Sequence, residues 1–67
     1  MPSYEITIYL DNGARFAVRE TAQNIDEIKD FIIKELKEAE AFTLNSPTTS
    51  IVILNKRSII GYTIYEI

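Results

Sequence analysis

The side chains of this sequence that could take part in chemistry are carboxylates, hydroxyls, tyrosines and arginines, because cysteine and histidine are both absent. The chain therefore lacks the usual activated nucleophiles and general bases and the usual ligands of zinc. Its clustered hydroxyl side chains lie around Pro47, in a turn-rich stretch where serine and threonine ordinarily bond to the nearby backbone. We predict that the chain is not an enzyme.

The carboxylates do not suggest a metal site. Pairs such as Asp26 with Asp30 and Glu27 with Glu38 lie in a segment with helical periodicity, where acidic side chains are typical of a solvated face. Calcium and magnesium need several oxygen ligands converging on one point, and no such cluster is visible. The sequence holds two glycines, too few for a phosphate-binding loop. We predict neither a metal nor a cofactor.

A β-hairpin near the start of the chain determines which tyrosines and arginines share a face. Two alternating segments, 4–10 and 14–19, flank Asp11-Asn12-Gly13. A two-residue turn would place arginines on the face that the isoleucines need to bury. A three-residue loop instead pairs Ile8 with Phe16 and needs a positive φ at the glycine. We predict the three-residue loop.

In this register one face of the hairpin is polar and aromatic. It carries Tyr9, Arg15 and Arg19, and the last strand adds Tyr65 or Tyr62 to it. Tyrosine and arginine are enriched at binding hot spots, so these five residues form the candidate interaction surface. The alternative is that they are cross-strand pairs that shield a small sheet, and the sequence leaves both interpretations open.

The middle of the chain predicts one helix. Asn24 is a suitable N-cap with Glu27 three residues later, and the helix is expected to run to residue 40 or 41. Apolar residues recur at spacings of three and four along it: Ile25, Ile28, Ile32, Leu36 and Ala39.

Three further strands are expected after the helix, over residues 41–44, 50–54 and 59–66. The predicted order is therefore ββαβββ, an α+β fold with a small, mainly antiparallel sheet and one helix packed on one face. The 67 residues make one domain, 1–67.

The last two strands carry more apolar residues than one helix can cover. Segment 51–54 is continuously apolar, so both of its faces are expected to be buried. In segment 59–67 both parities are apolar, and we favour Ile60 and Ile64 as inward because Gly61 and Thr63 tolerate exposure better. The surplus apolar residues must meet a partner, which predicts a homodimer.

The charge of the chain and its targeting features indicate which partners and which cellular compartment to expect. The net charge is −3, the pI is near 4.7, and most of the carboxylates lie between residues 20 and 40. This acidity disfavours nucleic acid as a partner. The first residues lack the features of a signal peptide, and no apolar run is long enough to span a membrane. A cytoplasmic protein without a membrane partner is expected.

Two motifs near the end of the chain, residues 53–60 (ILNKRSII) and 64–67 (IYEI), resemble a group of short proteins from Gram-positive bacteria and their phages and plasmids. Members of that group also open with a hairpin like residues 6–13 (ITIYLDNG). The resemblance implies the ββαβββ fold and a mobile-element setting, and it implies no particular activity. The last strand here is longer than in the group.

These observations favour a small non-enzymatic interaction protein that self-associates through its exposed sheet face and its C-terminal strand. One alternative is a nucleic-acid-associated accessory factor of a mobile element, with Arg15, Arg19, Lys56 and Arg57 as phosphate contacts. Another is an inhibitor that presents the acidic helix to a basic protein.

Overall fold

The computed structural model describes residues 1–38, 40–45 and 50–67. It confirms the predicted α+β class, with one helix packed against antiparallel strands and the order ββαβββ. The elements are β1 (Ser3–Leu10), β2 (Arg15–Thr21), α1 (Ile25–Glu38), β3 (Phe42–Asn45), β4 (Ser50–Ile53), a 3-10 turn (Lys56–Ser58) and β5 (Ile59–Glu66).

The first hairpin closes through the predicted three-residue loop. Leu10 donates its N–H to the Ala14 carbonyl at 2.9 Å, and Gly13 donates to the Leu10 carbonyl at 3.2 Å. Gly13 has a φ of 89°, which an L-residue with a Cβ rarely adopts. Ile8 lies opposite Phe16, so the predicted register is confirmed.

The described strands form two sheets rather than one. β1 lies between β2 and β5 in a three-stranded antiparallel sheet, whereas β3 and β4 pair with each other. Residues 46–49, the predicted turn between β3 and β4, lie outside the described residues. The face of the second hairpin that carries Phe42 and Ile53 is buried in the common core. The hairpin therefore packs onto the core instead of extending the larger sheet.

Asn24 caps α1, as predicted. Its Oδ1 accepts the Glu27 N–H at 3.0 Å, and the Glu27 carboxylate accepts the Gln23 N–H at 3.2 Å. The reciprocal bond thus goes to the residue before the cap. The helix ends at Glu38, earlier than the expected residue 40 or 41. Ala39 lies outside the described residues.

The core lies between the inner face of the larger sheet, α1 and the second hairpin. Ile28 and Ile32 of the helix are buried in it, with Ile25 and Leu36 partly buried beside them, which confirms the predicted apolar stripe over the described residues. The buried cluster comprises Tyr4, Ile6, Ile8, Val18, Ala22, Ile28, Ile32, Phe42, Leu44, Ile51 and Ile53.

The expectation that both faces of segment 51–54 are buried is wrong. Ile51 and Ile53 face the core, but Val52 is 56% exposed and Leu54 is 81% exposed. The reason is topological, because a two-stranded hairpin with one face on the core leaves its other face outside.

The inward parity of β5 is only partly as predicted. Ile64 lies opposite the buried Ile6 and packs against the core. Ile60 is 70% exposed, so its predicted inward position is wrong. The register shifts so that Tyr9 pairs with Gly61 while Leu10 pairs with Ile59, which leaves Ile60 as the extra residue of a β-bulge.

Candidate functional site

The candidate site is the face of the three-stranded sheet that points away from α1, which we call the outer face. Three cross-strand rows on this face run across all three strands. They are Arg19–Glu5–Tyr65, Ala17–Thr7–Thr63 and Arg15–Tyr9–Gly61. The side chains on its two edge strands are exposed, apart from the half-buried glycine, and those of the central strand are half-buried.

Glu5 connects the three strands in the first row. Its Oε1 lies 3.7 Å from the Nε of Arg19, and its Oε2 accepts a hydrogen bond from the Tyr65 hydroxyl. The ion pair is solvated and adds little stability by itself. The tyrosine and the arginine together hold the carboxylate of the central strand in place.

The hydrogen bond to Glu5 is also the main reason why the pKa of Tyr65 is raised above its usual value of 10.0. Partial burial and the negative charge of Glu5 raise this pKa further, and Arg19 lowers it. Loss of the hydroxyl proton would leave a phenolate against a carboxylate. The row therefore stabilises the neutral form of Tyr65.

The Tyr65→Phe variant is expected to show over which pH range this hydrogen bond stabilises the folded state. Because the folded pKa lies above the unfolded 10.0, the contribution of the hydroxyl to stability is complete below that pH and is lost as the pH rises through the folded pKa. Wild type should therefore exceed the variant in free energy of unfolding at neutral pH, and the difference should shrink at alkaline pH. Urea denaturation over a pH series measures this.

Tyr9→Phe is the matched control for that series. Tyr9 lies on the same face and is the smallest of the causes that raise the pKa of Tyr65, but the hydrogen bond to Glu5 is made by Tyr65, so Tyr9→Phe should keep most of the loss of stability at alkaline pH. A difference between wild type and Tyr65→Phe that is absent at neutral pH, or that persists undiminished through the alkaline range, would contradict the assigned hydrogen bond.

The structure brings together four of the five predicted contact residues. Tyr9, Arg15, Arg19 and Tyr65 lie on the outer face, whereas Tyr62 lies opposite Ile8 on the inner face and packs against the core. Tyr62 and Tyr65 are three positions apart on one strand. Because successive side chains of a strand point to opposite faces, the two tyrosines lie on different faces of the sheet.

The predicted contact residues omit Glu5, which the structure places at the centre of the first row. Its position opposite Arg19 follows from the hairpin register. Its bond to Tyr65 depends on the pairing of β1 with β5, which are far apart in sequence.

The two remaining basic residues of the nucleic-acid hypothesis lie in the turn before β5. Asn55 caps this turn by accepting the Arg57 N–H at 3.2 Å, and Lys56 precedes Arg57 in it. Asp11 of the first hairpin loop donates its N–H to the Ser58 carbonyl at 2.8 Å, so the turn lies at the loop end of the sheet. Arg15 lies at the same end.

A cleft separate from the outer face lies between the end of β2, the first half of α1 and β3. This cleft of about 410 Å³ has Ile28 and Leu44 in its apolar lining and the carboxylates of Glu20 and Glu27 among its polar groups. Burial raises the pKa of Glu20 above its usual value. Protonated Glu20 therefore favours the folded state at acid pH, and this contribution to stability is lost as the pH rises through the folded pKa. The cleft therefore disfavours a charged Glu20.

No cluster of potential metal ligands occurs among residues 1–38, 40–45 and 50–67. Within those ranges, α1 is too short and too polar to span a membrane, and no other helix qualifies.

Comparison with known proteins finds no matching family model, no matching curated protein and no matching solved structure. The resemblance to short proteins of Gram-positive bacteria and their mobile elements therefore stays a prediction.

Proposed function

We propose that this chain is a small non-enzymatic interaction protein that forms a homodimer through the outer-face side of its sheet and the C-terminal strand β5. The proposal is supported above all by the exposure of apolar and aromatic side chains along one strand. Ile60, Tyr65 and the adjoining Ile67 are all more than half exposed.

Chain size supports the same proposal. A domain of this length buries only about 60% of the surface that its unfolded chain exposes, and such domains are often stabilised by disulfides, metals or association. Disulfides are ruled out because the sequence contains no cysteine. A structural zinc site would use cysteine or histidine, and the sequence contains neither, so association is the route for which this chain offers a surface, along β5.

Analytical ultracentrifugation over a hundredfold dilution tests the proposed dimer. We expect the sedimentation coefficient to fall from the dimer value to the monomer value as the concentration is reduced. The thermal midpoint should fall with it, since dissociation removes the stabilisation that binding supplies. A monomer at every concentration, with an unchanged thermal midpoint, would overturn the proposal.

The nucleic-acid hypothesis has less support from the charges. Arg19 is paired with Glu5, and the outer face thus keeps one arginine, Arg15, without an acidic cross-strand neighbour. Phosphate binding would weaken steeply with salt. Fluorescence anisotropy with a labelled oligonucleotide at low salt distinguishes the two proposals, because the interaction protein proposed here leaves the anisotropy unchanged.

A further inference from the structure

We propose that the second copy binds edge to edge, with β5 pairing antiparallel to β5 of the second copy and Thr63 on the two-fold axis. The two three-stranded sheets then form one six-stranded sheet. This inference rests on the proposed self-association and narrows its contact to the edge of β5, so that the outer faces of the two copies join into one continuous surface.

The free edge of β5 has backbone groups available for such pairing. The Ile67 N–H donates to the Ser3 carbonyl of β1 at 2.9 Å. This bond identifies which residues of β5 turn their backbone groups toward β1 and which turn them away. Odd-numbered residues from 61 onward turn their N–H and C=O groups toward β1, and Tyr62, Ile64 and Glu66 turn theirs away. In the part of the chain that the structure describes, no strand pairs with that outward edge.

The two edges of the sheet differ in how well they are protected against pairing. β2 carries Arg15, Arg19 and Glu20, and charges on an edge strand discourage the approach of a second strand. β5 has no charged residue before Glu66 and contains no proline. The bulge at Ile60 disrupts only its first residues, so the regular part from Gly61 to Glu66 remains available.

Side-chain complementarity selects the register within this edge. With Thr63 on the axis, Tyr65 lies opposite Gly61 of the second copy, on the outer face. Gly61 has open space where a Cβ would stand, so the aromatic ring covers exposed backbone there. On the inner face Tyr62 lies opposite Ile64 of the second copy. The register places the two copies of Glu66 apart, so like charges are not brought together.

A second copy stacked face to face on the outer face is the competing geometry. Each outer face carries two arginines, Arg15 and Arg19, against one carboxylate, Glu5, so stacking would oppose two surfaces of like net charge. It would also leave the outward backbone groups of β5 unpaired. Both considerations favour the edge.

Cysteine substitution tests the geometry directly, because the natural chain contains no cysteine. Thr63 turns its backbone groups toward β1, so Thr63 and its copy form a pair without mutual hydrogen bonds and with Cα atoms about 4.5 Å apart. That separation allows a disulfide, whereas moving the axis by one residue separates these Cα atoms by about 7–8 Å. We expect the Thr63→Cys variant to form a disulfide-linked dimer rapidly under mild oxidation.

Thr7→Cys is the matched control. Thr7 is the cross-strand neighbour of Thr63 in the same row of the outer face. In the edge-paired dimer the two copies of Thr7 are separated by three strand spacings, about 14 Å, so this variant should stay unlinked. Two sheets stacked face to face lie about 10 Å apart, so a face-to-face dimer would leave both variants largely unlinked.

The outcomes separate the geometry from the self-association itself. Cross-linking at Thr7→Cys overturns edge pairing but keeps the dimer. Failure of both variants to cross-link, in a chain that sediments as a dimer, overturns edge pairing with Thr63 on the axis and is the result expected of face-to-face stacking. A chain that sediments only as a monomer overturns both proposals.

A lysine pair provides a second test that does not depend on disulfide chemistry. Thr63→Lys places two lysines directly opposite each other at the axis, and we expect it to weaken the dimer on the order of tenfold. Ala17→Lys adds the same charge in the same row but on the edge strand β2, and its dimer constant should stay within about twofold. Equal weakening by both variants would contradict edge pairing through β5.

Discussion

Replacing Phe42 by alanine is expected to lower the free energy of unfolding by about 3–5 kcal/mol, the largest effect of any substitution considered for this chain. Phe42 is 0% exposed and is the largest of the fully buried side chains. It belongs to the buried cluster that also contains Ile6 and Ile32, so its removal leaves a cavity bordered by several elements. Urea denaturation followed by circular dichroism measures the loss.

The size of this effect has a consequence for the folded population. A domain of this length has a total stability of roughly 3–10 kcal/mol. A loss of about 3–5 kcal/mol is therefore a large part of the total. We expect the Phe42→Ala variant to be partly unfolded at room temperature.

Val52→Ala is the control in the same hairpin. Val52 lies opposite Thr43 on the face that points away from the core and is 56% exposed. Its truncation should cost less than about 1 kcal/mol. If the two variants lost equal stability, the second hairpin would not be part of the cooperative core.

The first hairpin could be predicted from the sequence because its constraints are local. The three-residue loop places Ile8 opposite Phe16 and both arginines on the other face, whereas a two-residue turn would place arginines on the face that the isoleucines need to bury. The cap at Asn24 and the stripe through Ile28 and Ile32 are local in the same sense. These elements follow from period and spacing.

The second half of the chain could not be predicted in the same way because pairing partners decide it. The run of four apolar residues from Ile51 fits a strand buried on both faces or on one. The choice depends on whether β4 extends the larger sheet or pairs with β3 alone. The bulge at Ile60 likewise lies in the pairing of β1 with β5, beside the backbone hydrogen bond from Asp11 to Ser58, and these partners are far apart in sequence.

The same distinction applies to the candidate site. Tyr9, Arg15 and Arg19 share a face because the hairpin register places them there. The choice between Tyr62 and Tyr65 depends on the register of β5 against β1. Strands so distant in sequence have no turn between them to fix that register. The sequence alone therefore does not decide which of the two tyrosines lies on the outer face.

Replacing Gly13 by valine is expected to cost about 1–3 kcal/mol of folding free energy. Gly13 has a φ of 89°, and a β-branched side chain strongly disfavours that conformation. A Cβ added at this position meets no atom within 4 Å, so crowding contributes nothing to the cost. The loss, measured by urea denaturation, therefore reports backbone strain rather than crowding in the folded state, offset in part by the lower entropy of the unfolded chain.

Gly13→Asn separates this strain from any general effect of substituting the loop. Asparagine tolerates positive φ better than other residues with a Cβ, so this variant should lose about 1 kcal/mol or less. Gly13 lies in the loop and pairs with no residue of β5, so neither variant should change the dimer constant once folding is complete. If valine and asparagine cost the same, the loop would not depend on positive φ at this residue. The alternative two-residue turn also requires positive φ there, so this comparison tests the backbone conformation of Gly13, and the pairing of Ile8 with Phe16 distinguishes the two turn types.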